Sequence, residues 1–172
     1  MELLVVIVLL GFLIAMGMAS FKSSQTKSRD SRRKSDLGHI MVALEAYHND
    51  RGRYPLASPD TEGKLMGCAA AGAEECTWNG QFSDSVGTIY MVSLSKDPSI
   101  GRRYYYAAAG NGTWYQLYAR LENTEDANVV QTGGAPGKYS GVWCDDSHTI
   151  MCNYGIASSN RTADTGRTVI AE

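Results

Sequence analysis

The chain has 172 residues, of which 44% are hydrophobic and 20% charged, with a formal net charge of −2. Ten Tyr, 3 Trp and 3 Phe exclude a disordered chain, 18 Gly and 4 Pro without a fixed period exclude a collagen-like one, and the charge balance argues against a dedicated nucleic-acid binder. Charge is unevenly placed, however. Lys22, Lys27, Arg29, Arg32, Arg33 and Lys34 against Asp30 make residues 22–34 net +5; with Glu2 at −1, residues 35–172 carry −6. The order is an apolar rod, a basic collar and a mildly acidic body.

The rod, Leu3 to Phe21, contains no charge. Its 19 residues would span about 29 Å as a helix, close to the hydrocarbon thickness of a bilayer. A buried core helix would show a polar face, and a signal peptide would open with basic residues rather than with Met1 and Glu2. A membrane span over 1–21 is therefore expected. The basic collar that follows favours a cytoplasmic position for the next segment. Glu2 at the edge of the span is either a helix-N-terminal acid or a charge neutralised by a neighbouring subunit.

The helix is expected to continue past the span. From Ser20 to Asp50 there is no Pro and the only Gly is Gly38, while Leu37, Ile40, Met41, Leu44 and Tyr47 recur at three- and four-residue intervals as one apolar stripe. Asp36, His39, Glu45 and His48 occupy the other faces, and Asn49-Asp50-Arg51-Gly52 followed by Tyr54-Pro55 supplies the stop and an extended exit. This predicts one helix over 1–52, apolar all round in 1–21 and one-sided in 22–52. A lone anchor does not need such continuity; a bundle of identical helices does.

Residues 53–172 are expected to form the head. Residues 53–100 read as a long connection in which Val86 to Leu94 supplies a short helix or strand. In 101–122, Arg102 to Ala107 and Thr113 to Leu121 flank Gly110-Asn111-Gly112, a strong hairpin signal. Tyr115, Leu117, Ala119 and Leu121 are expected to face the helix, with Trp114, Gln116, Tyr118 and Arg120 on the other side. Residues 123–141 read as loop, Trp143 to Ile156 as a third strand or ordered loop, and the tail after Ser158 as polar. The tyrosines suit a half-buried sheet; a nucleic-acid stacking surface beside Arg102 and Arg103 is the alternative.

Four Cys in loop-rich segments point to disulfides and hence to a body outside the cytoplasm, which overrides the collar in setting topology. Of three connectivities, Cys68–Cys76 with Cys144–Cys152 is the one expected. Zinc spacing and haem-attachment spacing are both missing. Asn111 and Asn160 fit the N-x-S/T glycosylation pattern. Asp145-Asp146 with Asp97 or Asp84 is a candidate calcium site without EF-hand spacing, solvated loop acids being the alternative. His39, His48 and His148 are scattered, no nucleophile motif occurs, and no catalytic site or other metal site is expected.

The run Glu2-Leu3-Leu4-Val5-Val6-Ile7 with Gly11 resembles the N-terminal signature of type IV pilins and their type II secretion pseudopilin relatives. So do Arg29-Asp30-Ser31-Arg32-Arg33-Lys34-Ser35-Asp36-Leu37, the helix exit Leu44 to Pro55, Lys96-Asp97-Pro98, Tyr104-Tyr105-Tyr106 and Tyr115-Gln116-Leu117-Tyr118. The resemblance implies an α+β pilin fold: a long N-terminal helix packed by its second half on a small antiparallel β-sheet with disulfide-braced loops. Members carry a short basic leader, cleaved before a methylated residue that usually precedes Glu by a few positions; here Met1 directly precedes Glu2, so the numbering is expected to begin slightly inside the mature chain. The resemblance further implies Glu2 and Met1 in assembly, with Leu3, Val6, Leu10, Gly11, Leu13 and Ile14 in a filament core. Lys22, Lys27, Arg29, Arg32, Arg33 and Lys34 are expected to meet acidic surfaces of neighbouring bodies. Expected partners are copies of the chain in a helical homopolymer, an inner-membrane assembly platform, a prepilin peptidase, the membrane before assembly, and a surface, cell or DNA ligand. A pseudopilin, or a membrane-anchored module that does not assemble, are the competing readings.

Overall fold

A computed structural model describes the backbone of residues 2–59, 63–68 and 74–172, and the side chains of these apart from Glu2 and residues 15–20. A single helix, α1 (Glu2–Arg51), takes up the first 50 of these residues, on the order of 75 Å of length. It ends where the sequence predicts. Gly52 adopts φ +69° and its N–H donates to the His48 carbonyl at 2.7 Å, a left-handed cap that only glycine takes without strain. His48 and Arg51 stand in the last turn, where cations suit the helix dipole.

The buried stripe of α1 is Leu37, Ile40, Ala43, Leu44 and Tyr47, with Met41 left 37% exposed. At about 100° per residue Met41 falls roughly 100° from the centre of that stripe and Ala43 roughly 60°, so the small residue is enclosed and the larger one is not. The stripe does not stop at Leu37. Arg33, one turn earlier, is fully buried, and Asp30 and Asp36 flank it, also buried. Asp36, expected on a polar face, lies under the head, where Tyr104 donates its hydroxyl to Oδ2 at 2.8 Å.

Against this face lies an antiparallel sheet of β5 (Tyr105–Ala108), β6 (Tyr115–Ala119) and β9 (Tyr154–Ala157), in the order β5-β6-β9. Leu117 pairs with Tyr106 on one side and Ile156 on the other. The hairpin turn is held by Gly112 at φ +70°, whose carbonyl accepts from Tyr54 N–H at 2.8 Å and so ties the helix exit to the turn. Tyr115, Leu117 and Ala119 pack in the helix-facing core as expected.

The opposite face of β6 is covered too, contrary to expectation. Gln116 and Tyr118 are buried: the Gln116 amide donates to the carbonyls of Thr162, Ala163 and Thr165, and the Tyr118 hydroxyl to Ala163 O at 2.7 Å. The cover is the C-terminal tail. With the segment read as loop it forms a second sheet, β7 (Gln131–Thr132), β8 (Ala135–Tyr139) and β10 (Val169–Ala171), ordered β10-β8-β7. Gly133-Gly134, both at positive φ, make the β7–β8 turn. Tyr118, Tyr139, Val142 and the Cys144–Cys152 pair form a second small core between the sheets.

Between helix and hairpin sheet, the connection carries β1 (Met66–Cys68) with β2 (Glu74–Glu75), and β3 (Phe82–Ser83) with β4 (Ile89–Met91). Val86 to Leu94 thus supplies a strand rather than a helix, and Tyr90 of β4 packs edge-on against Tyr47 of α1 at 5.2 Å. Both disulfides take the expected local pairing, Cys68–Cys76 and Cys144–Cys152, with Cα–Cα distances of 5.1 and 5.2 Å.

Candidate assembly site

The apolar end of α1 lies clear of the head. Leu3, Val6, Leu10, Leu13 and Ile14 are each more than half exposed, and a Cβ at Gly11 would meet nothing within 4 Å. Such a surface, apolar all round, needs lipid or other helices to cover it. Among the described residues no helix is long and apolar enough to cross a membrane. The span expected over 1–21 falls in part on Met1 and on the side chains of Glu2 and residues 15–20, which lie outside the described residues, as do the assembly contacts expected of Met1 and Glu2.

The collar is built differently from the expectation. Arg33 is 0% exposed and donates Nε and Nη2 to the two oxygens of Asp97 at 2.8 and 3.0 Å, a bidentate pair. It also donates Nη1 to Asp30 at 2.7 Å, and Nη2 to Glu122 at 2.8 Å and Ser99 Oγ at 2.6 Å. Arg29 grips the same Glu122 carboxylate with Nε at 2.9 Å and with Nη2. Asp30 in turn accepts the backbone N–H groups of Glu122 and Asn123, each at 2.9 Å. Lys34 holds Asp126 through Nζ at 2.7 and 2.8 Å.

Asp97 follows β4 and Glu122 follows β6, so the clasp joins the middle of the helix to two separate head segments. Burial alone would lower the Arg33 pKa, but its hydrogen bonds to Asp97, Glu122 and Asp30 outweigh that and hold it above its ordinary value. The hydrogen bond from Arg29, opposed by burial and reinforced by Arg33, brings Glu122 down to about 2. Lys34 and the Asn128 backbone do the same for Asp126, also to about 2. Arg29, Arg33 and Lys34 are therefore spent inside the chain rather than on neighbouring bodies. Lys22 and Lys27 are exposed, and Arg32 approaches Asp36 at 3.8 Å, with two thirds of its side chain in solvent.

The other candidates are scattered. Asn111 is exposed at the hairpin tip, its Oδ1 accepting from the Thr113 hydroxyl at 2.8 Å; Asn160 uses its amide to reach Thr113 O at 2.9 Å. Three of the carboxylates considered for calcium are taken by donors: Asp145 by Thr149 and Ile150, Asp84 by Arg51, Tyr90 and two backbone N–H groups, Asp97 by Arg33; the fourth, Asp146, is exposed and stands 3.4 Å from Arg103 Nε. Those hydrogen bonds hold Asp145 and Asp84 below the usual carboxylate range against the effect of burial. Among the described residues no group of three or more His, Cys, Asp or Glu could hold a metal ion. His39 is exposed and His48 stacks on Tyr54 at 4.4 Å. Tyr104 and Tyr106 are fully buried and offer no face to a base, while Tyr105 is half-buried with the Arg167 guanidinium 5.9 Å from its ring centroid.

A long N-terminal helix with a bare apolar end, clasped through its second half to small antiparallel sheets and two disulfides, defines a pilin-like α+β subunit. No family model matches the chain, and no solved structure matches it. It is 29% identical over 118 residues, 69% of this chain and 77% of the relative, to the type II secretion system core protein G of Pseudomonas aeruginosa. That likeness to a pseudopilin, together with the fold, supports the superfamily of type IV pilins and type II secretion pseudopilins.

Proposed function

We propose that this chain is a structural subunit that polymerises through its N-terminal helix into an extracellular type IV pilus filament, serving adhesion, twitching motility or DNA uptake, and that it has no enzymatic activity. The observation that carries the proposal is the contrast along α1: its second half is welded to the head, while Leu3 to Ile14 stand exposed. Before assembly those side chains rest in the cytoplasmic membrane with the head outside, and in the filament they rest on copies of themselves. A prepilin peptidase and an inner-membrane platform deliver the subunit. Glu2 meets the N-terminal amine of an adjacent subunit and sets the stagger.

A pseudopilus of a type II secretion system is the second reading, and the named relative supports it. The disulfide-bearing C-terminal region, which adds bulk to the surface of the head, supports the pilus. Glu2→Ala should leave the monomer in the membrane fraction and abolish the fibres that shearing releases from parent cells. Normal fibres from that variant would remove the role given to Glu2. Loss of protein secretion on deletion, with no long fibres from parent cells, would establish the pseudopilus instead.

A further inference from the structure

A cleft of about 350 Å³ opens in the head, away from α1. Its walls are braced by the two disulfides. Glu75 and Trp78 adjoin Cys76, and Asp146 sits inside the Cys144–Cys152 loop, next to which Arg103 N–H donates to Cys144 O at 2.9 Å. Lys64, Lys96, Arg102 and Arg103 supply four cations and Glu75 and Asp146 two carboxylates, so the lining is net +2.

The charge on Arg102 is poorly matched by the protein. Its Nη1 is buried without a hydrogen-bond partner among the described residues, and Glu122 Oε1 stands 3.8 Å away, too far for a hydrogen bond. Glu122 is already committed to Arg29, Arg33 and Ser99. Burial, then the charge of Arg33, lowers the Arg102 pKa, the direction expected for a cation short of counter-charge. Trp78 is also incompletely satisfied: its buried Nε1 has no hydrogen-bond partner among the described residues, and it stands edge-on against Tyr104 at 5.7 Å between ring centroids.

The mixture of groups selects among anions. A strand of nucleic acid would bring repeated phosphates against Glu75 and Asp146. A ligand with one oxyanion and several hydroxyls would use both signs: the anion beside Arg102 and Lys96, hydroxyls donating to Asp146, and an apolar ring face against the part-exposed indole of Trp78. We propose that this cleft binds an acidic sugar, a carboxylate-bearing pyranose of a surface polysaccharide, through Arg102, Lys96, Trp78 and Asp146.

The test is titration of the full chain in detergent with galacturonate, galactose, inorganic sulfate and a short oligothymidylate, followed by intrinsic tryptophan fluorescence and calorimetry. Galacturonate should bind saturably and galactose should not. Arg102→Gln should weaken galacturonate by at least about tenfold, the effect of losing a charge-assisted hydrogen bond. Asp146→Ala carries the discriminating sign. Asp146 is 79% exposed but stands 3.4 Å from the Nε of the buried Arg103, so the comparison uses the variant once its melting temperature matches the parent's. A sugar loses a hydroxyl acceptor and binds more weakly, whereas a bare anion is freed of a repelling charge and binds more tightly. The proposal is overturned if galacturonate fails to bind, if it binds no better than sulfate (an adventitious ion only), if oligothymidylate displaces it, or if Asp146→Ala strengthens it.

Discussion

Replacing Arg33 by Met tests the clasp at its centre. The side chain is enclosed and shared by Asp30, Asp97 and Glu122, so its loss leaves buried carboxylates without their cation. Removing one partner of such a buried set costs about 3–5 kcal/mol, chiefly the cost of the unpaired charge left behind. Glu122 retains Arg29, so the burden falls on Asp97 and Asp30. With a urea slope of about 1–3 kcal/mol/M, the midpoint of head unfolding should fall by roughly 2 M. The assay is urea unfolding of the full chain in detergent, read by near-ultraviolet circular dichroism, which follows the aromatic head rather than the helix. A second substitution, Asp97→Leu, should recover much of the loss, because an apolar pair of similar volume is often as stable as the ion pair it replaces.

Acid weakens the clasp in the parent and partly relieves the defect in the variant. In the parent, Glu122 falls from 4.5 to about 2 on folding, so its contribution is full above pH 4.5 and lost as the pH drops toward 2. That shift corresponds to about 3 kcal/mol at most for this largely buried group. In Arg33→Met, the uncompensated carboxylates bind protons more readily folded than unfolded, so acid relieves the defect. The gap between parent and variant should narrow between pH 6 and pH 3. A loss below about 1 kcal/mol at pH 7, the range of a surface pair, or a gap that widens in acid, refutes the reasoning.

Replacing Cys144 and Cys152 together by Ala should cost about 2–3 kcal/mol on the chain-entropy account of a loop of separation 8, measured as a lower thermal midpoint, with the second small core affected first. Gly112→Ala should cost about 1–3 kcal/mol or more, because φ is +70° and the added Cβ would lie 2.6 Å from Tyr54 O; an unchanged urea midpoint would show that the turn has room to move. Tyr104→Phe leaves Asp36 without its buried donor and should cost about 1–3 kcal/mol by the same measurement.

Much of the architecture was legible because the responsible signals are local. An unbroken apolar run, Gly38 as the only glycine between Ser20 and Asp50, and the glycine stop at Gly52 specify α1; Asn111-Gly112 between aromatic runs specifies the hairpin. The β7–β8 hairpin carried a signal of the same kind in Gly133-Gly134, but Pro136 and Gly137 made its second strand read as loop. The tail was harder. Residues 158–168 read as polar because the carbonyls of Thr162, Ala163 and Thr165 make much of the contact with Gln116 and Tyr118, and backbone acceptors are the same in every sequence; the Arg167 side chain adds a hydrogen bond from Nε to the Tyr118 hydroxyl at 3.1 Å.

The clasp marks the boundary most clearly. By composition Arg29, Arg33 and Lys34 form a solvated collar, and residue type does not distinguish Arg33 from Arg32. Helical phase puts Arg33 in line with Leu37 and Ile40, but only the arrival of Asp97 and Glu122 from 64 and 89 positions away makes its burial tolerable. Local sequence alone determines which segments become helix or hairpin, since propensity, periodicity and turn residues act over a few positions. Which cations are enclosed and which remain for other molecules depends on where distant carboxylates come to rest. Charge is satisfied by proximity in space, and that is a property of the folded chain.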